Sequence, residues 1–97
     1  MTYELEFEKR ALKEWNKLGA PLREQFKKKL AERLEAPRVE ADRLRGVRDV
    51  YKIKLRSSGY RLVYRVEDDV LVVFVVHVGR RDRVYQEAER RLKSDPR

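Results

Sequence analysis

Apolar residues recur along this chain with two different spacings, and the spacing changes near its middle. Tyr3–Glu4–Leu5–Glu6–Phe7 alternates apolar and acidic side chains, the period of two that marks a short strand with one buried face. Ala11, Leu12, Trp15 and Leu18 then fall at helical spacing, and Gly19 follows as a C-terminal stop where a left-handed backbone costs glycine little. Pro21 suits the first turn of a second helix, where its missing N–H would have no intrahelical partner. Leu22, Phe26, Leu30 and Leu34 form a strict i, i+4 stripe in that helix, and Ala36–Pro37 ends it. The short connection predicts two helices packed as an antiparallel hairpin.

From residue 51 the period is two. Tyr51, Ile53 and Leu55 alternate with Lys52, Lys54 and Arg56, then Ser57–Ser58–Gly59 supplies a turn. Tyr60, Leu62 and Tyr64 alternate with Arg61, Val63 and Arg65, so the pattern predicts a β-hairpin with one apolar and one basic face. Glu67–Asp68–Asp69 makes another turn, and Val70 to Val78 is apolar on both alternations, as expected of an inner strand covered on both sides. A final short helix is predicted from Val84 or Tyr85 to Leu92. The order β-α-α-β-β-β-α describes an α+β protein: one compact domain spanning 1–97, with a mostly antiparallel sheet packed on an N-terminal helical hairpin and a short C-terminal helix.

Composition narrows the class. In 97 residues 43% are charged and 41% hydrophobic, enough for one core but not two. The longest apolar run, Val70 to Val76, is far short of a spanning helix, and no basic segment followed by an apolar one opens the chain. With no cysteine there is neither disulfide nor thiolate metal site, and the expectation is a cytoplasmic protein that does not enter membranes.

The net charge of +8 is concentrated. Residues 43–65 hold eight basic side chains (Arg43, Arg45, Arg48, Lys52, Lys54, Arg56, Arg61, Arg65) against Asp49 alone, while the two flanks together are nearly balanced. Clustered cations gain by releasing the counterions condensed on a polyanion, so the partner expected is a polyanion.

Three catalytic routes find no residues. Metal hydrolysis needs convergent ligands, and the one histidine, His77, lies on the apolar strand, where a structural role is the simpler reading. Ser57 and Ser58 have no nearby base, and the four glycines form no phosphate loop. No metal and no cofactor is expected. What remains is the basic face, where pairing of the hairpin puts Lys52 and Lys54 beside Arg61. RNA can be cut without metal when its 2′-OH attacks the adjacent phosphorus, given a base, charge stabilisation and help for the departing 5′-oxygen. Free lysine, with a pKa of about 10.4, is a poor base at neutral pH, but neighbouring cations destabilise the protonated form of a lysine. Arginine stays charged and its planar fork matches phosphate oxygens. The same lysines also read as protection of an exposed strand or as a binding surface. Tyr85 can stack on an unstacked base or pack the last helix on the core, and Lys27–Lys28–Lys29 can be a solvated helix face or a phosphate contact.

These residues resemble a known family. Arg10–Ala11–Leu12–Lys13–Glu14–Trp15, Lys17–Leu18–Gly19, Leu44–Arg45–Gly46, the whole of 51–64, and Val78–Gly79 to Arg81 are similar to the RelE toxins of bacterial type II toxin–antitoxin systems. The resemblance implies the microbial-ribonuclease-like RelE/ParE fold and a ribosome-dependent endoribonuclease that cuts mRNA in the ribosomal A site. It places Lys52 and Lys54 in the active site, Lys54 as base for the 2′-OH, Arg61 on the charged phosphorane, Arg81 at the leaving oxygen and Tyr85 at the family's C-terminal tyrosine. The segment between Arg81 and Tyr85 is two residues shorter than in the members it most resembles. Arg45, Arg56, Arg65 and Arg83 are the expected RNA contacts. The partners implied are a RelB-type antitoxin and the 70S ribosome, through 16S rRNA and A-site mRNA, with operator DNA reached only through the antitoxin complex. Two alternatives stand beside this: a ParE-like toxin acting on DNA gyrase, and a non-catalytic basic RNA-binding module.

Overall fold

The sheet is assembled from the two halves of the chain. In the computed structural model, which describes residues 2–80 and 83–94, β2 (Val50–Lys54), β3 (Arg61–Glu67) and β4 (Val72–Gly79) form an antiparallel meander. The N-terminal strand β1 (Glu4–Phe7) adds parallel to β4, giving the order β1-β4-β3-β2. A parallel neighbour needs a long crossover, and the segment between β1 and β2 supplies it as α1 (Lys9–Lys17) and α2 (Ala20–Glu35). α3 (Arg83–Ser94) closes the chain. The α+β architecture and the mostly antiparallel sheet expected from the sequence are therefore present.

Local chemistry explains the helix boundaries. The carboxylate of Glu8 accepts the N–H groups of Arg10 at 2.7 Å and Ala11 at 3.0 Å, satisfying two of the donors left over at the start of α1. Burial would raise the pKa of Glu8, but the hydrogen bonds from Arg10 and Ala11 outweigh it and hold the carboxyl below the ordinary range. Gly19 departs from expectation. It sits at φ −64° and ψ 154°, extended rather than left-handed, and serves as the N-cap of α2, with Pro21 in the first turn. The two helices are joined so tightly that the stop of one is the start of the next.

Helices cover both faces of the sheet. On one, Ala11, Trp15, Leu18, Phe26 and Leu30 pack on Tyr51, Ile53, Leu62, Tyr64, Val73 and Val75. Trp15 links the helices, with ring centroids 5.3 Å from Phe7 and 6.3 Å from Phe26. On the other, Val84 and Ala88 of α3 pack on Val50, Val63, Phe74 and Val76. The face predicted to be basic is thus apolar at its centre, with Lys52, Lys54 and Arg61 toward one end and Arg65, paired with Glu67, toward the other. Val70 is a second correction: it is 58% exposed in the turn before β4, and Leu71 adopts a left-handed backbone at φ 54°. Glu67–Asp68–Asp69 draws the chain into the turn, so the strand begins two residues later than its hydropathy suggests.

Val63 faces His77 across the β3–β4 ladder, but Tyr64 faces Val75, so Val76 has no partner on β3. Such a bulge shifts the alternation of the bulged strand by one. Val78 accordingly lies on the same side as Val75, and His77 turns to the end of the sheet where α1 and α3 meet.

Candidate active site

Lys52 and Lys54 are two apart on β2 and share one face, with Cα atoms about 6.7 Å apart for an extended strand. Lys54 lies directly opposite Arg61, and Lys52 opposite Val63. The connection that sets this register carries Gly59 at φ 77°, with Gly59 N–H donating to Leu55 C=O and Leu55 N–H donating to Tyr60 C=O, both at 2.9 Å. Glycine occupies that backbone without the penalty a Cβ would bring.

The fourth member arrives from the last helix. Tyr85 of α3 is half-buried against the Val50–Val63–Phe74 cluster. The Lys52 ammonium and the Arg61 guanidinium each lie 5.7 Å from its ring centroid. Two cations brought this close repel each other, and the electron-rich face of an aromatic ring offsets part of that cost. Lys52 and Arg61 therefore meet at the ring of Tyr85, with Lys54 across the ladder from Arg61, and Tyr85 both packs the helix and presents its ring beside two cations.

A support beneath β2 was not foreseen. Arg33 of α2 donates to the carbonyl of Lys52 at 3.0 Å, to the Tyr64 hydroxyl at 2.8 Å and to Asp42 at 2.6 Å. Tyr64 in turn donates to the carbonyl of Pro37 at 2.6 Å. Burial pushes the Tyr64 phenol up, against the opposing charge of Arg33, so it remains a hydrogen-bond donor. β2 is an edge strand, and Arg33 fills an outward carbonyl that would otherwise be open to pairing with another chain. The only sequence signal was an arginine beside the Leu30–Leu34 stripe, which is common on any helix. Next to it a cleft of about 320 Å³ is lined by Lys29, Lys54 and Arg56 among others, so Lys29 is the member of the lysine run placed beside the site.

The remaining candidates separate. Arg45 and Arg56 are exposed in the loops flanking β2. Arg65 is on the same face as Lys52, but its guanidinium is engaged with Glu67 at 2.8 Å and lies over the ring of Phe74 at 5.3 Å. Arg81 lies outside the described residues, and of Arg83 only its place at the start of α3 is described. His77 is buried and 3.4 Å from Glu14. Among the described residues no three His, Cys, Asp or Glu side chains gather as a metal site, and no helix is long and apolar enough to cross a membrane.

Comparison with known proteins adds the following. A family profile described as the ParE toxin of the type II toxin–antitoxin system parDE matches residues 5–85. The mRNA interferase toxin RelE of Escherichia coli K12 is 64% identical over 94 residues, which cover 95% of this chain and 99% of that protein. The solved structure of the E. coli RelE R81A/R83A mutant in the free state superposes with a TM-score of 0.87 at 62% identity, covering 95% and 99% of the two chains. The toxin in the intact E. coli RelBE toxin–antitoxin complex superposes with a TM-score of 0.81 at 65% identity, covering 84% and 99%.

Proposed function

The chain belongs to the RelE branch of the RelE/ParE toxin superfamily, as the toxin of a type II toxin–antitoxin system and a ribosome-dependent mRNA interferase, and on that premise we propose how its residues cut RNA. The observation that carries the reading is the convergence of Lys52 and Arg61 on the ring of Tyr85, with Lys54 across the ladder from Arg61. Lys54 accepts the proton of a ribose 2′-OH, whose oxygen attacks the neighbouring phosphorus. Arg61 lies against the non-bridging oxygens as negative charge develops there, and Lys52 adds to the same field. The bond from phosphorus to the 5′-oxygen breaks, leaving a cyclic 2′,3′-phosphate; Arg81 is assigned to stabilise the departing oxygen, which takes a proton from solvent to become the 5′-hydroxyl. The Tyr85 ring offers a stacking surface for a base drawn out of the message. No metal and no cofactor takes part.

The ribosome supplies what so small a site lacks. Message held in the A site with the 2′-OH in line with the scissile bond can gain about 7–11 kcal/mol from orientation alone. Arg45 and Arg56, exposed on either side of β2, contact 16S rRNA or mRNA phosphates, together with Arg83. The protein is one RelE-like domain acting in the cytoplasm. Its inhibitor is a RelB-type antitoxin, in keeping with the RelBE complex of its E. coli relative, and operator DNA is reached through that complex.

Mapping mRNA 5′ ends in a reconstituted translation reaction, with and without ribosomes, tests the reading. Cuts in register with codons and only with ribosomes are expected. Cuts on naked RNA, or none while ribosomes are still bound, would overturn it.

A further inference from the structure

Arg91 is only 6% exposed, and an arginine so buried requires partners. It donates to the two oxygens of Glu14 at 2.9 and 2.8 Å, a two-pronged pair that ties α3 to α1. The same guanidinium donates to the carbonyl of Val76 at 2.9 Å, the residue that the bulge leaves without a partner on β3. Glu14 accepts the N–H of Val78 at 3.1 Å. The pair therefore grips the strand at its irregularity and two residues beyond it.

Helical geometry connects this grip to the active site. At about 100° per residue, the inward arc of α3 runs through Arg91, Val84, Ala88, Leu92 and Tyr85, with the first and last about 120° apart. Arg91 occupies the margin facing α1, and Tyr85 the margin facing Lys52 and Arg61. Between them the fully buried side chains are Val84 and Ala88, which fill space without fixing how the helix is rolled. Directional hydrogen bonds at one margin do fix it. A ring about 5–6 Å from the helix axis moves about 1 Å when the helix rolls by about 10°, and misplacement of that size can cost about 10²-fold in rate.

We propose that Glu14 and Arg91 are positioning residues for RNA cleavage: their two-pronged, partly buried pair fixes the roll of α3 on β4 and so holds the Tyr85 ring against Lys52 and Arg61. The proposal rests on the reading of Lys52, Arg61 and Tyr85 as the active site.

Arg91→Lys keeps the charge but loses the fork, and Glu14→Gln keeps an acceptor for Val78 while losing the charge. Each is assayed on programmed ribosomes, alone and combined with Tyr85→Ala, with thermal unfolding followed in parallel. The expected result is a fall in kcat of about tenfold with KM changed by no more than about twofold. In the Tyr85→Ala background neither substitution should slow cleavage further, since the pair acts through the ring. Full activity of both folded variants overturns the proposal, as do losses that multiply with that of Tyr85→Ala. Failure of both variants to fold also overturns it, leaving the pair a stabilising element only. Tyr85→Ala cutting at the unmodified rate would instead overturn the active-site reading itself, and the proposal with it.

Discussion

Lys54 and Arg61 face each other as cross-strand partners at the end of the β2–β3 ladder, two like charges on directly opposed residues. Such a pair opposes folding by about 0.2–1 kcal/mol, and the exposure of Lys54 puts it at the low end of that range through solvent screening. Activity and stability should therefore part in Lys54→Ala. We expect codon-registered cleavage to fall by at least about 10²-fold while the unfolding temperature stays level or rises slightly and ribosome binding persists. Parallel end-mapping, ribosome pelleting and thermal melts check this; a variant that loses binding and cleavage equally would make Lys54 a docking residue.

Gly79 is required by its neighbours and not by its backbone. A Cβ there would lie 2.9 Å from His77 Cε1 and 3.1 Å from Val84 Cγ2, closer than ordinary van der Waals contact. Gly79→Ala should cost about 1–3 kcal/mol by overpacking. Urea unfolding of Gly79→Ala with and without His77→Ala decides the cause: the second substitution removes the clashing ring, so the double variant should lose less than the sum of the two single costs. Strict additivity would contradict the contact.

His77 should give the protein an acid-sensitive limb. Burial lowers its pKa below 6.5, and the carboxylate of Glu14 at 3.4 Å only partly offsets this. Arg91 adds to the lowering, while Glu87 and Glu8 oppose it. The unfolded chain then binds a proton at this position more readily than the folded one, so stability rises with pH up to 6.5 and is lost below it. Urea midpoints between about pH 7.5 and 5.5 should fall for the natural sequence and fall less for His77→Gln. Parallel slopes in the two proteins would remove His77 from the account.

Glu8 acts on the same limb at lower pH and with the opposite chemistry. Its carboxyl is held below the ordinary value of 4.5 by the hydrogen bonds it accepts from Arg10 and Ala11. That contribution is present above pH 4.5 and disappears as the pH falls through the lowered value. Glu8→Ala should cost about 1 kcal/mol at neutral pH, the ordinary worth of an N-cap. The difference from the natural sequence should vanish in acid. Equal destabilisation at both pH values, measured by circular dichroism melts, would assign the effect to packing instead.

Much of this protein was legible because its sequence repeats are local. Leu22, Phe26, Leu30 and Leu34 must share a helix face whatever surrounds them, and Lys52 and Lys54 must share a strand face. The turn at Ser57–Ser58–Gly59 then brings Arg61 to the same end of the hairpin. These relations span a few residues and follow from the helical and extended backbone periods. Gly19 was misread because a stop and a start were compressed into one residue, and Val70 because hydropathy does not register where a turn releases the chain.

Tertiary structure decided the rest. That α3 covers the centre of the basic face and sets Tyr85 beside Lys52 and Arg61 depends on how two apolar clusters are shared between three helices. The bulge at Val76 lies in β4, between a parallel and an antiparallel neighbour, and no residue type announces it. Arg33 reaches Lys52 across 19 positions and Arg91 reaches Glu14 across 77. A partly buried ion pair of this kind is selected by the geometry left once the core has packed, so its two halves carry no signature in the chain that would tell them from surface charges.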